Sequence, residues 1–413
     1  LPKLLMHADM RMAKFYSNSQ KVMKSIPADA RAKEAQVFED RDVVFESSKV
    51  LGMVWDAQTD IFSYKSKFKT VEEWMENLKI TQWTKRTVLK TTASTYDPLG
   101  YITALTVQAR NVIQRLWQES LDWDYPLPKE HEERWVQALT NLLSVSEIKI
   151  PRWLGFQPDS TSELHIFCDA SETVYSTVAY CRINSVGGQS ISNIISGRAR
   201  VAPLKSETIP RLELMACVLG TRMSRAITEV FKVPKENIHF WTDSRDALCW
   251  IYTPSNKCKV YVQNRVGEIQ RCTDHKQWHH IPTESNPADV PTRIISTQEL
   301  KNNDLWWHGP DLLRKEGEYP VFEPSSISEA VKKEMKEEIY LENSDTRLLA
   351  RSVGRLNNGY ERAIRILMKV GIWPKKKKAK TNRDDKRDLR KRAQLYLVTM
   401  SQAEEFAEDI EKL

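Results

Sequence analysis

The sequence lacks any apolar run that approaches the roughly 18–20 residues needed for a membrane-spanning helix. Its first residues, Leu1-Pro2-Lys3, carry neither an initiator methionine nor the pattern of a signal peptide. These absences argue against a membrane protein and against a secretory leader. We therefore expect a soluble, intracellular chain that is part of a longer protein, and the sequence leaves open whether it works in a cytoplasmic particle or in the nucleus.

Paired cysteines are also missing. No cysteine forms a CxxC pair with a second Cys or His pair nearby, so neither a zinc site nor a disulfide framework is expected. We interpret the cysteines as reduced thiols in the core of an intracellular protein. The six are Cys168, Cys181, Cys217, Cys249, Cys258 and Cys272.

Basic charge is confined to one short segment. The chain of 413 residues has a net charge of +7, and residues 375–392 alone contribute +8 from eleven Lys or Arg and three Asp. The remaining residues are therefore close to neutral. We interpret the basic run first as a solvated linker, with a nuclear-import or phosphate-binding segment as the alternative.

A hydrophobic content of 41% over this length allows two or three domains with a real core. In the first 150 residues, KVLGMVWDAQTDIFSYKSKF alternates apolar and polar residues, which predicts a hairpin turning near residues 57–60. The segment TALTVQARNVIQRLWQESL places apolar residues at helical spacing and predicts an amphipathic helix packed on a core. We expect a small α+β region here.

The pattern changes near residues 155–160, where we place a domain boundary. Three β-type runs follow, ELHIFCDA, TVYSTVAYCRI and QSISNIISGRARV, and then IPRLELMACVLGTRMSRAITEVF predicts a helix of about 22 residues that starts at a proline. NIHFWTD and KQWHHIP predict a fourth and a fifth strand, with helices between them. Hairpin-linked strands followed by alternating strands and helices indicate an α/β fold with a mixed sheet.

Four acidic residues stand out in this segment. Asp169 and Asp243 end the first and fourth strands, and strand ends are where open α/β sheets bind ligands. Glu213 lies in the predicted first turn of the long helix, and Asp289 follows Asn286-Pro287, which can start a short helix that aims this acid inward.

Each acid alone has an ordinary structural explanation, because strand-end aspartates cap helices and first-turn glutamates favour the helix dipole. Four together are harder to explain in that way. Carboxylates held close together would repel one another and raise each other's pKa unless cations lay between them. Oxygen ligands favour Mg²⁺ or Mn²⁺, so we expect bound metal of this kind at the cluster.

The sequence resembles the Pol polyprotein of BEL/Pao-type LTR retrotransposons over roughly residues 10–310. The resemblance rests on KVLGMVWDAQTDIFSY, KRTVLKTTASTYDPLGYIT, FCDASETVYSTVAY, PRLELMACVLGTRM, FWTDSRDALCWI, WHHIPTESNPADVPTR and WWHGPDLL, in this order. It implies a reverse transcriptase thumb and connection remnant at 1–150 and a ribonuclease H-like domain at 158–296. A Trp-rich extension at 297–330, expected to pack against that domain, and a helical, polybasic pre-integrase linker at 331–413 would follow.

The resemblance also implies roles for the four acids. Asp169 would bridge both metal ions, Asp289 would help to hold the ion that activates water, and Glu213 with Asp243 would hold the ion at the leaving 3′ oxygen. The implied substrate is the RNA strand of an RNA–DNA hybrid, selected through its 2′-hydroxyls. Many ribonucleases H carry a mobile histidine before the last aspartate, but here His279 and His280 fall in a predicted strand, so neither is assigned a catalytic role.

Two other functions remain open at this point. The family region is also labelled a retrotransposon peptidase of the aspartic class, but the Asp-Thr/Ser-Gly loops of such enzymes are absent around Asp169 and Asp243. A catalytically silent nucleic-acid-binding or structural remnant is the other alternative. No YVDD-like polymerase motif and no integrase zinc module is present, so the expected polypeptide partners are the reverse transcriptase palm upstream and the integrase downstream.

Overall fold

The structure is a computed structural model that describes residues 13–32, 35–36, 44–45, 48–50, 52–66, 68–157, 160–184, 190–315, 319–323 and 328–336. The strands in these ranges are β1 (Ala35–Gln36), β2 (Val44–Phe45), β3 (Ser48–Val50), β4 (Met53–Asp56), β5 (Ile61–Tyr64), β6 (Lys149–Pro151), β7 (Thr161–Ala170), β8 (Val174–Asn184), β9 (Ser190–Val201), β10 (Ile238–Thr242) and β11 (Trp278–His280).

The α-helices in the same ranges follow the amphipathic stretches of the sequence. They are α1 (Gln20–Ser25), α2 (Val71–Leu78), α3 (Lys85–Ala93), α4 (Thr103–Gln118), α5 (Lys129–Leu143), α6 (Ile209–Phe231), α7 (Arg245–Tyr252), α8 (Val260–Cys272), α9 (Thr297–Lys301), α10 (Asp304–His308) and α11 (Glu329–Glu334).

A five-stranded mixed sheet with the order β11-β10-β7-β8-β9 forms the centre of the fold. The hairpin-linked strands β7, β8 and β9 are antiparallel, whereas β10 and β11 run parallel to β7. Parallel neighbours need crossover connections, and the helices between β9 and β11 supply them. The ribonuclease H-like sheet with flanking helices that the sequence predicted is confirmed.

The two faces of strand β7 serve two different cores. Leu164, Ile166 and Cys168 belong to the core beneath α6, while Phe167 stacks on Trp241 in the core of the other face. The alternation follows from the period of two residues in a strand. All six cysteines are free in the structure, and five of them are buried, so these five lie in the core as the sequence predicted.

Helix α4 covers the second face and lies earlier in the chain than the sheet it packs on. Its Arg110 donates to the carbonyl oxygen of Ala199 at 3.0 Å, and its Gln108 donates to the carbonyl oxygen of Ile295 at 2.7 Å. The amphipathic helix predicted within residues 103–121 is confirmed, and its apolar side joins the core of the mixed sheet. The division of the chain into domains at 150, 158, 296 and 330 stays a prediction.

A second, antiparallel sheet of order β3-β4-β5-β6 precedes the mixed sheet. Strands β4 and β5 form the predicted hairpin, whose turn occupies residues 57–60. Strand β6 returns to this sheet after α5 and pairs Ile150 with Phe62.

The Trp-rich extension packs on the mixed sheet, as the sequence predicted. Trp306 is fully buried, and its indole nitrogen donates to the carbonyl oxygen of Tyr101 at 2.9 Å. The Tyr180 hydroxyl of β8 donates to the carbonyl oxygen of Trp306 at 2.7 Å. The helical tail predicted beyond residue 336, including the basic run at 375–392, lies outside the described residues. Within the described ranges, no helix is both long enough and apolar enough to cross a membrane.

Candidate active site

Asp169 and Asp243 lie side by side because of strand register. Strands β7 and β10 are parallel, and Cys168 pairs with Thr242, so the acid that follows each of them sits at the same end of neighbouring strands. Such strands are about 4.8 Å apart. Asp169 is 6% exposed and Asp243 is half-buried.

Helix α6 brings Glu213 to the same end of the sheet. The helix crosses β7 closely at Gly220, where an added Cβ would lie 2.7 Å from the Sγ of Cys168. Glu213 is the fifth residue of the helix, so its predicted place in the first turn is wrong by one position. The helix dipole acts mainly on the first turn and therefore explains this glutamate poorly. The Ser244 hydroxyl, next to Asp243 in the chain, donates to Glu213.

The side chain of Asn286 fixes the position of Asp289, the fourth acid. Its side-chain oxygen accepts from the Ala288 amide at 3.1 Å and caps the 3-10 helix Pro287–Thr292, which confirms the short helix expected there. Its side-chain nitrogen donates to the carbonyl oxygen of Cys168 at 3.1 Å and lies 3.4 Å from an oxygen of Asp243. The helix is thereby fixed to β7, and Asp289 lies in its first turn.

One hydroxyl joins the first and the fourth acid. Thr292 Oγ1 lies 2.9 Å from an oxygen of Asp169 and 3.2 Å from an oxygen of Asp289. Together with the register of Asp243 and the contact of its neighbour Ser244 with Glu213, this link brings all four acids named from the sequence to one end of the sheet. Their catalytic roles stay a prediction.

Burial and like charge perturb two of these acids. Burial raises the pKa of Asp169 to about 6, the charges of Asp243 and Asp289 add to the increase, and the Thr292 hydroxyl opposes it. Burial likewise raises the pKa of Glu213 to about 7, where the hydrogen bond from Ser244 opposes the increase and the nearby aspartates add to it. Ionised Asp169 and Glu213 are therefore unfavourable without a compensating positive charge.

The donor set suits a hard divalent cation, because it consists of carboxylate oxygens with raised proton affinity. Two of these carboxylates already have partners within the protein. Arg293 forms an ion pair with Asp289 at 2.5 Å, and the Thr283 hydroxyl donates to Asp243 at 2.6 Å. Within the described ranges, no group of three or more His, Cys, Asp or Glu side chains is arranged to hold a metal ion. The carboxylate oxygens of the four acids fit such an ion chemically. The ion pair between Arg293 and Asp289 would have to open before Asp289 could bind it.

The sequence did not single out the hydroxyl residues around the acids, namely Ser244, Thr283 and Thr292. No pattern in one sequence distinguishes them from ordinary polar residues of turns and caps. The two histidines occupy β11, as expected. Burial and the charge of Arg245 lower the pKa of His280, and a hydrogen bond to the backbone of Asp243 opposes this, so His280 lies beside the cluster.

The structure offers no support for the peptidase alternative. Ser244, which follows Asp243, accepts from the Ala247 amide at 3.1 Å and caps helix α7. The residues after Asp169 complete β7 and turn into β8. An aspartic peptidase instead needs a glycine-containing turn beneath each of two paired carboxylates.

Comparisons with known proteins found one family model and solved structures of low similarity. A family described as the Pao retrotransposon-like RNaseH-like domain matches residues 84–244. A ribonuclease H1 from the halophilic archaeon Halobacterium salinarum NRC-1 is 11% identical, with a TM-score of 0.20, over 30% of this chain and 89% of its own. A foamy viral protease-reverse transcriptase, solved with double-stranded DNA, is 14% identical, with a TM-score of 0.19, over 58% of this chain and 46% of its own.

No curated protein matches the sequence. Both TM-scores are low, so the fold assignment rests on the strand order, the register and the family match. The match begins at residue 84, before α3, and includes Asp169, Glu213 and Asp243. Residues 84–244 therefore resemble the RNaseH-like domain of Pao retrotransposons, and the match covers about two fifths of the chain.

Proposed function

We propose that this chain is a metal-dependent nuclease that hydrolyses the RNA strand of RNA–DNA hybrids during reverse transcription. The observation that carries the proposal is the convergence of the four acids, two of which have pKa values raised by burial and by one another. Grouped carboxylates of this kind are costly to a fold unless they bind a cation. The RNaseH-like family of residues 84–244 supports a nuclease-type element.

Asp169 is the central ligand in this proposal. It is the most buried of the four acids, it neighbours Asp243 across the strand pair, and it shares the Thr292 hydroxyl with Asp289. Glu213, Asp243 and Asp289 would complete the oxygen ligands of two Mg²⁺ or Mn²⁺ ions. When bound, such a pair of ions supplies an activated water and stabilises the attacking and leaving oxygens of an in-line displacement at phosphorus.

The protein itself fixes the directions of the carboxylates. The Ser244 hydroxyl donates to Glu213, the Thr283 hydroxyl to Asp243, and the Thr292 hydroxyl to Asp169. These hydrogen bonds leave the remaining carboxylate oxygens for other ligands. Hydrogen bonds to the groups that hold a metal commonly change affinity or activity by about 10- to 100-fold. The hydroxyls therefore act as positioning groups rather than as reacting ones.

The substrate and the partners follow from the same proposal. Selection of RNA over DNA would use the 2′-hydroxyls that an RNA-containing duplex displays in its minor groove. The polymerase and integrase of the same Pol protein are the proposed polypeptide partners. The basic run at 375–392 is a source of phosphate affinity, since its net charge is +8.

The test uses the whole purified chain and an RNA–DNA hybrid labelled on each strand in turn. We expect cleavage of the RNA strand in Mg²⁺ or Mn²⁺, none in EDTA, and a rate lower by at least about 100-fold in Asp243→Asn. Asp122→Asn is the matched control, because Asp122 is an exposed aspartate in the segment between α4 and α5. Circular dichroism establishes that both variants are folded.

Three outcomes would contradict the proposal: cleavage that persists in EDTA, equal activity of the two variants, or equal cutting of double-stranded DNA. Tight hybrid binding with no cleavage in either metal would favour the catalytically silent remnant instead. The hybrid-binding measurement by fluorescence anisotropy is made on the same samples, so that the two functions are separated in one experiment.

A further inference from the structure

Strand β9 is an edge strand of the mixed sheet and ends beside the four acids. Asp169 of β7 pairs with Ser176 of β8, and Ser176 pairs with Ala199 of β9, so these three residues form one row across the sheet. Neighbouring strands lie about 4.8 Å apart, which puts the backbone of Ala199 roughly 10 Å from that of Asp169. Arg198 and Arg200 flank Ala199 in the chain, and we name this pair the β9 arginines.

The β9 arginines are exposed and lie on the same side of the sheet, because residues two apart in a strand point the same way. This is the side of α6, since Tyr175, the partner of Arg200 in β8, belongs to the core beneath that helix. Among the described residues, neither arginine side chain has a hydrogen bond or an ion pair. In contrast, the exposed Arg222 pairs with Glu268 at 2.6 Å. The charges of the β9 arginines are therefore left without an opposite charge.

A third guanidinium group adds to this positive charge. Arg110 of α4 donates to the carbonyl oxygen of Ala199 at 3.0 Å and to the Thr106 hydroxyl at 2.6 Å. Burial of its guanidinium lowers the pKa of Arg110, the charge of Asp97 opposes this, and the charge of Arg200 lowers the pKa further. Arg110 and Arg200 thus repel each other, and an anion bound beside them would relieve the repulsion.

The usual structural role of charge on an edge strand does not explain these arginines. Charged side chains on an open edge discourage pairing with another chain. Helix α4 already closes this edge at Ala199, whose amide donates to the Thr103 hydroxyl at 3.1 Å and whose carbonyl oxygen accepts from Arg110. The same contacts fix the backbone that carries the β9 arginines, so a partner would meet a preorganised pair of charges.

We propose that the β9 arginines bind backbone phosphates of the RNA–DNA hybrid whose RNA strand is cut at the four acids. The identity of this partner rests on the proposed function. Double-stranded DNA carries one phosphate for about every 1.7 Å of its axis, so a duplex of that density presents about six phosphates within 10 Å of the acids. The guanidinium group donates in a planar fork that matches two phosphate oxygens. The β9 arginines would therefore position the duplex without reading its sequence.

Arginine footprinting tests this contact in the unmodified whole chain. Phenylglyoxal modifies accessible guanidinium groups, and mass spectrometry of peptides gives the rate at each arginine in EDTA, with and without a short hybrid. With the hybrid at ten times its dissociation constant, we expect modification of the β9 arginines to slow by up to about tenfold. Arg225 is the internal control and should not be protected. It is exposed and lines a pocket with Ile238, the first residue of β10, at the opposite end of that strand from Asp243.

Variants that lack these charges give a second, independent measurement by fluorescence anisotropy in EDTA. Each lost phosphate contact makes the plot of log K against log salt concentration less steep by about 0.9. Arg198→Gln with Arg200→Gln should therefore reduce the slope by about 2 and weaken hybrid binding by at least about tenfold. Arg225→Gln with Arg271→Gln also removes two exposed charges and should change the slope by less than about 0.5. Residues 375–392 are the same in all of these proteins, so their contribution cancels in the comparison.

Three results would overturn the inference. The first is an equal rate of modification of the β9 arginines with and without the hybrid. The second is equal protection of Arg225, which would indicate general coating of the surface by a polyanion. The third is an equal change of slope in the two double variants. Failure of hydrolysis alters none of these readouts, because they are made in EDTA, and cleavage by a chain without the footprint would refute this inference while the proposed function stands.

Discussion

Removal of one charge at the four acids should stabilise the metal-free protein. Burial, together with the charges of Asp243 and Asp289, raises the pKa of Asp169 from 3.8 to about 6. The folded state therefore holds this proton more tightly than the unfolded state. The free energy of unfolding falls as the pH rises from about 4 to about 6, and the whole penalty is present above pH 6.

The size of the effect follows from the shift in pKa. A change from 3.8 to about 6 corresponds to about 3 kcal/mol, an upper value because the neighbouring acids share their repulsion. Asp169→Asn removes the charge and keeps an oxygen that can accept from Thr292. At pH 8 in EDTA we expect this variant to be more stable than the unmodified chain by up to about 3 kcal/mol, or roughly 5 °C in Tm.

Mg²⁺ should remove most of this difference. An ion present at a hundred times its dissociation constant stabilises the folded state by about 2.7 kcal/mol. The unmodified chain should gain this stabilisation, and Asp169→Asn should gain much less because it lacks the carboxylate that we propose as the central ligand. Urea unfolding at pH 5 and at pH 8, in EDTA and in Mg²⁺, gives the four comparisons that are needed.

The matched control is Asp122→Asn, which removes an exposed charge and should change none of the four values by more than about 0.5 kcal/mol. Two results would refute the reasoning. If Asp169→Asn were no more stable than the unmodified chain in EDTA at pH 8, the repulsion would be absent. If both proteins gained equally from Mg²⁺, Asp169 would not be a ligand.

Three further predictions concern the frame around the site. Asn286→Ala should lower the free energy of unfolding by about 2–4 kcal/mol in urea, because a helix cap is lost and a buried carbonyl loses its donor. Gly100→Ala should cost more than about 3 kcal/mol in thermal unfolding, since its Cβ would lie 1.7 Å from the Gly197 oxygen, whereas Gly267→Ala should gain about 0.5–1 kcal/mol. Burial opposes the ionisation of Glu163, but hydrogen bonds and nearby positive charge hold its pKa well below 4.5; stability should therefore fall with pH below 4.5, and less so in Glu163→Gln.

Local sequence patterns predicted the elements that carry the four acids. The alternation in the β7 and β10 segments locates two strands, and a strand that ends in an acid fixes that acid at the sheet edge. The Asn286-Pro287 pair is likewise a local signal, because a side-chain cap followed by proline starts a short helix. Such signals involve residues only a few positions apart, which is why one sequence is enough to detect them.

The partners of these elements could not be predicted in the same way. The amphipathic face of α4 shows that the helix packs on something, but not that it covers the far face of a sheet formed later in the chain. Likewise, no local pattern links Glu163 to Arg182, to which it is bonded at 3.0 and 3.1 Å, or to Tyr319. A buried charged network of this kind is decided by tertiary packing.

The acids could be predicted from the sequence and their hydroxyl partners could not, for the same physical reason. Parallel register alone sets Asp243 beside Asp169, so two strand ends are enough to predict their proximity. Thr292 reaches Asp169 only because Asn286 fixes a 3-10 helix to the carbonyl of Cys168. To predict this contact, one would have to place the turns around that helix and the buried amide of Asn286 correctly at the same time. The positions of the four acids are therefore encoded locally, whereas the directions of their oxygens depend on contacts across more than a hundred residues. Substitution of Thr292 should thus disturb the geometry of the site while leaving the strands that present Asp169 and Asp243 unchanged.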